Sequence, residues 1–312
     1  SLYISIPYCP SRCSYCSFVS HSIDHPKAKK LIPDYVNLLV KEIFFTAEIC
    51  RNSGGNLRSI YIGGGTPTAL SAEQLKTITD AVKAAFRPEP GMEYTIEAGR
   101  PDTITREKLQ VIYDAGANRV SINPQSFEER VLEAVGRKHT AQQVVDCYNM
   151  ARQFGFDTIN MDLIAGLPGD TLEGFQRSLD KALELGPENI TVHALSVKRA
   201  ADLYTQRNGS EDYSAAQKMV AYACQELTGA GYLPYYLYRQ KNIVGNLENV
   251  GYAKPGHIGL YNIFIMEEVQ HIAAVGAGAV SKAVFPGRIE RVFNYKYPYE
   301  YIGKFADILS RK

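Results

Sequence analysis

Apolar and polar positions along the chain alternate between two rhythms. Short β-branched runs predict strands at 2–6, 59–62, 93–97, 119–122, 158–163 and 189–195. Between them, apolar residues recur at three-to-four spacing and predict helices over 34–51, 72–86, 106–115, 141–154 and 172–185. Ser71, Thr105, Thr140 and Thr171 stand where helix starts are expected, and Gly116, Gly155 and Gly186 stand where helices should stop. Each helix leads into the next strand, the pattern of right-handed βα units around a parallel sheet. Six such units curve without having to close. The expected fold is therefore α/β, an incomplete (βα)6 parallel barrel.

After about residue 201 the rhythm changes. Residues 213–229 predict one more amphipathic helix, and Tyr232, Tyr235, Tyr236 and Tyr238 open a Tyr- and Gly-rich stretch without βα regularity. A boundary near 205 is expected, separating the barrel (1–205) from a smaller α+β region (206–312) that covers the substrate.

Composition narrows the classes of function. With 312 residues, 45% hydrophobic and 21% charged, the chain excludes disorder, collagen and coiled coil. Lys and Arg total 34 against 33 Asp and Glu, so the net charge of +1 leaves no electrostatic footprint for nucleic acid. No apolar run approaches the roughly 18 residues of a spanning helix, and no charged-then-apolar leader opens the chain. A cytoplasmic location is expected. Ser1 stands directly before the first predicted strand, so a natural N-terminal segment is expected to have been cut away.

The six cysteines are unevenly placed. Cys9, Cys13 and Cys16 form C-x-x-x-C-x-x-C directly after the first strand, at the strand end where parallel barrels carry their chemistry. Thiolates are soft ligands that select iron–sulfur clusters or zinc. Three ligands for a four-iron cubane leave one iron open, as a catalytic metal requires. A structural zinc would instead close at four ligands, with His21 or His25 as the fourth. Cys50, Cys147 and Cys224 fall in predicted helices and read as small core residues.

Other strand ends carry candidates of their own. Gly63-Gly64-Gly65-Thr66-Pro67-Thr68 follows the second strand and would let backbone approach a ligand, or simply form a tight turn. It is not a P-loop, since no Lys-Ser/Thr pair follows. Glu97 ends the third strand. Gln125 follows the fourth, with Arg137 twelve residues on, and Asp162 lies near the end of the fifth among Met161, Leu163 and Ile164.

The cysteine spacing resembles the radical S-adenosylmethionine superfamily. The segments Tyr3-Ile4-Ser5-Ile6-Pro7-Tyr8-Cys9, Gly63 to Thr68, Glu97-Ala98-Gly99-Arg100-Pro101, Gln125-Ser126-Phe127 and Asp162-Leu163-Ile164-Ala165-Gly166-Leu167-Pro168-Gly169 are similar, more particularly, to the oxygen-independent coproporphyrinogen III oxidase family, its HemZ-like branch. The resemblance implies a 4Fe-4S cluster on Cys9, Cys13 and Cys16, with S-adenosylmethionine on its open iron. It also implies cofactor contacts: Tyr3, Gly64, Gly65 and Thr66 toward the methionine part, Glu97 on the ribose, Gln125, and Arg137 against the carboxylate. Asp162 would touch the adenosine and Ser196 the adenine.

The implied reaction is radical oxidative decarboxylation of coproporphyrinogen III propionates to vinyl groups, in porphyrin and haem biosynthesis. The electron would come from a reduced donor such as flavodoxin or ferredoxin. Two alternatives stay open, a haem chaperone without decarboxylase activity and a radical enzyme acting on haem. Established oxidases of the family have a further cysteine where this chain has Phe18, a residue shared with the chaperone branch. The chaperone branch has a His-Asn-x-x-Tyr-Trp motif, whereas the comparable stretch here is Glu248-Asn249-Val250-Gly251-Tyr252-Ala253 and the chain has no Trp, so it departs from the pattern of both branches. For a tetrapyrrole with several carboxylates, the C-terminal tyrosines and Arg239, Lys241, Lys254 and Lys282 are the candidate walls and cationic partners. Gly276-Ala277-Gly278-Ala279 reads as a close-packed turn or as part of that wall.

Overall fold

A computed structural model describes residues 1–16, 21–196, 214–239, 243, 245 and 247–312. Strand β1 (Leu2–Ile6) runs into the cysteine loop, which carries the short pair β2 (Tyr8–Cys9) and β3 (His21–Ser22). Regular alternation follows: α1 (Pro26–Asn52), β4 (Ser59–Gly64), α2 (Ala72–Phe86), β5 (Glu93–Glu97), α3 (Arg106–Asp114) and β6 (Arg119–Ser121). The short α4 (Glu129–Ala134) precedes α5 (Ala141–Arg152), β7 (Thr158–Ala165), α6 (Leu172–Leu185) and β8 (Asn189–Ala194). All six predicted strands and the helices between them are present.

Helix starts follow from local chemistry. Ser71 and Thr140 form capping boxes with Gln74 and Gln143, and Thr105 and Thr171 accept from the first free amides of their helices. Gly186 ends α6 in the left-handed conformation, with φ 67°. Most boundaries fall within two residues of expectation, but α1 begins at Pro26, eight residues before the predicted start. Pro26 needs no donor in the first turn, His25 Nδ1 caps Lys27 N at 3.3 Å, and the helix continues through Pro33. The α1 face carrying Ile32, Tyr35, Val36, Leu39 and Ile43 is buried against the sheet.

β1, β4, β5, β6, β7 and β8 pair in parallel and in chain order, each with its neighbour. The result is the incomplete parallel barrel expected from the sequence. Their carboxyl ends gather at one rim, so the loops after Ile6, Gly64, Glu97, Ser121, Ala165 and Ala194 converge there.

The rest of the chain comprises α7 (Ser214–Gly229), β9 (Leu233–Tyr238), β10 (Asn249–Ala253), α8 (Leu260–Glu267), β11 (Ala273–Val275), the hairpin β12 (Val280–Phe285) and β13 (Arg288–Phe293), then α9 (Pro298–Gly303) and α10 (Phe305–Arg311). Three of these strands extend the barrel sheet, in the order β11-β1-β4-β5-β6-β7-β8-β10-β9. β11 adds in parallel beside β1, and β10 and β9 add antiparallel beside β8. Among the described residues, β11 and β9 do not pair with each other, so the sheet stays open there. The boundary expected near 205 falls in 197–213, outside the described residues, as does Phe18.

The amino end of the barrel is closed by polar bonding. Arg119 on β6 donates to Thr158, Asn189 and the carbonyls of His257 and Ile258. Buried Glu93 accepts from the amides of Leu260 and Tyr261 at 2.6 and 2.7 Å, fixing the start of α8, where a carboxylate suits the helix dipole.

Candidate functional site

The cysteine loop and the glycine loop are bonded to each other. Gly65 N donates to Ile6 O at 2.7 Å and Thr66 N to Tyr8 O at 2.8 Å, while Thr66 Oγ1 lies 3.4 Å from Cys9 Sγ. A Cβ on residue 65 would stand 2.6 Å from Tyr8 O and 3.0 Å from Cys9 Sγ, so only glycine fits this approach. Cys9 and Cys13 are buried and Cys16 partly so. Among the described residues no three His, Cys, Asp or Glu side chains converge as for a single metal ion. A cubane makes no such demand, because each thiolate takes a different iron. His25, weighed as a fourth zinc ligand, serves as a helix cap.

Next around the rim, Tyr61 Oη donates to Glu97 Oε1. The ring of Tyr61 stacks on Tyr261 at 4.5 Å, and Tyr3 stacks on both. Burial, followed by the charge of Asp162, raises the Glu97 pKa to about 7 despite the Tyr61 bond. Asp162 itself accepts from Asn160 Nδ2 at 2.7 Å and lies 3.6 Å from His193 Nε2.

The raised pKa means that the fold favours the neutral carboxyl of Glu97. The stability this group contributes is present below the ordinary carboxylate range and is lost as pH rises through about 7. Glu97→Gln should therefore stabilise the cluster-free protein at pH 8 by about 2 kcal/mol, and by much less at pH 5. Urea unfolding at the two pH values checks this; equal gains at both would contradict it.

Gln125 adopts φ 65°, a left-handed conformation unusual for a non-glycine residue. Its backbone is clamped to β7, with N donating to Asp162 O at 2.8 Å and O accepting from Ile164 N at 2.9 Å. Buried Arg137 donates to Tyr15 Oη at 3.2 Å and to Gly99 O at 2.7 Å. Gln125 Oε1 and Arg137 Nε are buried without a hydrogen-bond partner. Such atoms are costly unless a ligand satisfies them.

All twelve residues singled out in the sequence, Tyr3, Cys9, Cys13, Cys16, Gly64, Gly65, Thr66, Glu97, Gln125, Arg137, Asp162 and Ser196, line one cavity of about 600 Å³. Four further residues were missed. Tyr15 and Arg100 lie within segments already singled out, but nothing local distinguished them from their neighbours. Tyr61 and Tyr261 meet only because β4 and α8 pack together.

Tyr235, Tyr236, Tyr238 and Tyr261 line the part of the cavity contributed by the C-terminal elements. The Tyr236 ring packs against Gly251, where a Cβ would come within 1.9 Å of it. Lys282 also lines the cavity and is paired with Glu268 at 2.7 Å. Arg239 pairs with Glu248, and Lys254 donates to Gly186 O beside the Tyr232 ring, so these two are engaged elsewhere. Lys241 lies outside the described residues. The turn at Gly276–Ala279 is close-packed, since a Cβ on residue 276 would stand 2.5 Å from Ser5 O, and Gly278 also reaches the cavity. Of the three isolated cysteines expected in the core, Cys147 is buried, Cys50 is only half-buried, and Cys224 is exposed on α7.

These features define a partial-barrel α/β protein whose cavity is rimmed by thiols, a glycine loop and opposed carboxylate and guanidinium groups. A family model described as the radical SAM superfamily matches residues 3–182. The chain is 42% identical to the oxygen-independent coproporphyrinogen-III oxidase-like protein HemZ of Bacillus subtilis, over all of this chain and 63% of that protein. It is 32% identical to the heme chaperone HemW of Escherichia coli, over 96% of this chain and 74% of that one. The solved structure of coproporphyrinogen III oxidase (HemN) from Escherichia coli matches with a TM-score of 0.77 at 23% identity, covering 98% of this chain and 69% of that one, which shows a shared fold.

The chain belongs to the radical SAM superfamily and, within it, to the family that holds the HemZ-type oxidase-like proteins and the HemW chaperones. It spans about three fifths of the length of its HemZ relative. The cofactors are accordingly a 4Fe-4S cluster and S-adenosylmethionine. The site is compatible with both, offering three soft donors on one loop, an approach that only glycine permits, and buried polar atoms without partners. No helix among the described residues is long and apolar enough to cross a membrane.

Proposed function

We propose that this chain is the radical-generating part of a cytoplasmic enzyme that oxidatively decarboxylates the propionates of coproporphyrinogen III, yielding vinyl groups. The observation that carries the reading is a single cavity in which the cysteine rim is continuous with a tyrosine wall. The HemZ relative, 42% identical over the whole chain, supports it.

In this reading Cys9, Cys13 and Cys16 would hold the cluster and leave one iron for S-adenosylmethionine. Gly64 and Gly65 admit its methionine part to the backbone beside Thr66 and Tyr3, and Arg137 faces its carboxylate with a planar fork of donors. Glu97 accepts from the ribose, Gln125 and Asp162 hold the adenosine, and Ser196 meets the adenine. When bound, the pair supplies one-electron cleavage of the sulfonium and thereby hydrogen-atom abstraction from an unactivated carbon. The tyrosine wall excludes water from that carbon. Each round removes one hydrogen atom and one electron from a propionate as carbon dioxide leaves. A reduced flavodoxin or ferredoxin supplies the starting electron, and an acceptor outside the chain takes the final one.

The HemW relatives favour a second reading, in which the same cavity mouth carries haem. Anaerobic reconstitution followed by S-adenosylmethionine, dithionite and coproporphyrinogen III separates the two. The first reading expects 5'-deoxyadenosine and a vinyl product; stoichiometric haem binding without turnover supports the second.

Arg137→Ala should weaken S-adenosylmethionine binding about tenfold or more, the worth of a charged hydrogen bond. Calorimetry on the reconstituted protein measures it, and an unchanged affinity would remove Arg137 from the site.

A further inference from the structure

Arg100 has no role in the reading above, yet it is among the most engaged side chains of the rim. It is 4% exposed. Its Nε and NH2 donate to the two oxygens of Asp102, each at 2.9 Å. On the other side, NH1 and NH2 reach the cysteine loop at Ser11 O (3.2 Å) and Ser11 Oγ (2.9 Å). NH1 also lies 3.6 Å from Cys13 Sγ, within range of an N–H···S bond. The thiol of Cys9 lies 3.4 Å from the hydroxyl of Thr66, and the Arg100 charge acts on it too, less than on Cys13.

A guanidinium does not lose its proton in a protein, so a full positive charge is held permanently beside Cys13. Asp102 fixes its orientation, with the carboxylate on the side of the guanidinium edge that carries Nε. Reduction adds one negative charge to an iron–sulfur cluster, and donors aimed at its sulfurs favour the reduced form.

We propose that Arg100, oriented by Asp102, is a positioning residue that raises the reduction potential of the cluster through its contact with Cys13. This rests on the assignment of Cys13 as a cluster ligand. The cost of burying the cation is offset by Asp102, and the gain is easier one-electron loading from a cellular donor.

The test is a redox titration, followed by electron paramagnetic resonance, of the anaerobically reconstituted wild type, Arg100→Gln and Asp102→Asn, with iron and sulfide contents measured alongside. Arg100→Gln should shift the balance toward oxidised cluster about tenfold at a fixed poise, about 59 mV for a one-electron couple. Asp102→Asn removes the counter-charge but leaves an amide oxygen for Arg100, so its potential should move the opposite way. A purely structural clamp predicts lower cluster content in both variants and no shift of opposite sign.

A wild-type midpoint in Arg100→Gln at full iron content overturns the proposal. Should Arg100→Gln assemble no cluster, an unchanged or lowered potential in Asp102→Asn overturns it instead. A wild-type chain that takes up no cluster at all would fail earlier, at the ligand assignment.

Discussion

Cys13→Ala protein, reconstituted anaerobically with iron and sulfide, is expected to lose nearly all of its cluster and, with it, cleavage of S-adenosylmethionine. Three thiolates are the whole protein ligand set in the proposed site, so removing one leaves two corners held where three are needed. Cys13 is 8% exposed, and the Arg100 guanidinium beside it cannot replace it, having no lone pair to give a metal. Cys224→Ala serves as the control, because that thiol faces outward on α7, away from the cavity, and its variant should retain full iron and colour. Iron and sulfide content with the visible spectrum decides the matter. A full cluster spectrum in Cys13→Ala would take Cys13 out of the ligand set.

The second large effect is on stability. Glu42 lies on α1 with none of its surface exposed, and its carboxylate collects four donors from distant parts of the chain. Gly276 N and Tyr301 Oη bond Oε2 at 2.8 and 2.6 Å. Asn294 Nδ2 and Lys312 Nζ bond Oε1, both at 2.7 Å. Glu42→Ala would leave the buried Lys312 ammonium without its counter-charge, holding only Ala274 O and Thr46 Oγ1, and would take an acceptor from the Asn294 amide, the Tyr301 hydroxyl and the Gly276 N–H together. Breaking a buried pair by removing one partner costs about 3–5 kcal/mol. The urea midpoint of the cluster-free protein should fall accordingly, and a loss below about 1 kcal/mol would show that these donors find other partners. The same carboxylate holds the Gly276 turn against β1, and Gly278 of that turn reaches the cavity. A stability defect here should therefore reach the site.

Glu42 also shows how far local pattern reaches. It falls at helical spacing from Leu39 and Thr46, beside Ile43, on the stripe that the periodicity marks as buried. A lone carboxylate on that stripe signals a buried partner, but its four partners lie 234 to 270 residues later and share no local pattern. The Tyr-rich stretch behaves similarly. Its tyrosines were visible as a cluster, yet β9 and β10 became legible as strands only through antiparallel pairing with β8. β11 is three residues long and exists because β1 offers it an edge. Runs so short carry too little periodicity to predict.

Arg100 and Tyr15 mark the same limit inside the site. Both belong to segments that the sequence had already marked for other residues. What singles them out is the approach of the loop after β5 to the cysteine loop, nearly ninety positions apart in the case of Arg100 and Cys13.

The six βα units, their caps and stops, the thiol trio, and the strand ends that carry polar side chains were legible along the chain. These are encoded by period, turn chemistry and spacing within a few residues. Only packing in three dimensions showed which strands extend the sheet at its edges, which polar groups pair in the core, and that twelve scattered residues share one cavity. The physical reason is that hydrogen-bond partners and cavity walls are chosen by proximity in space, and once the chain is packed that proximity is independent of separation along it.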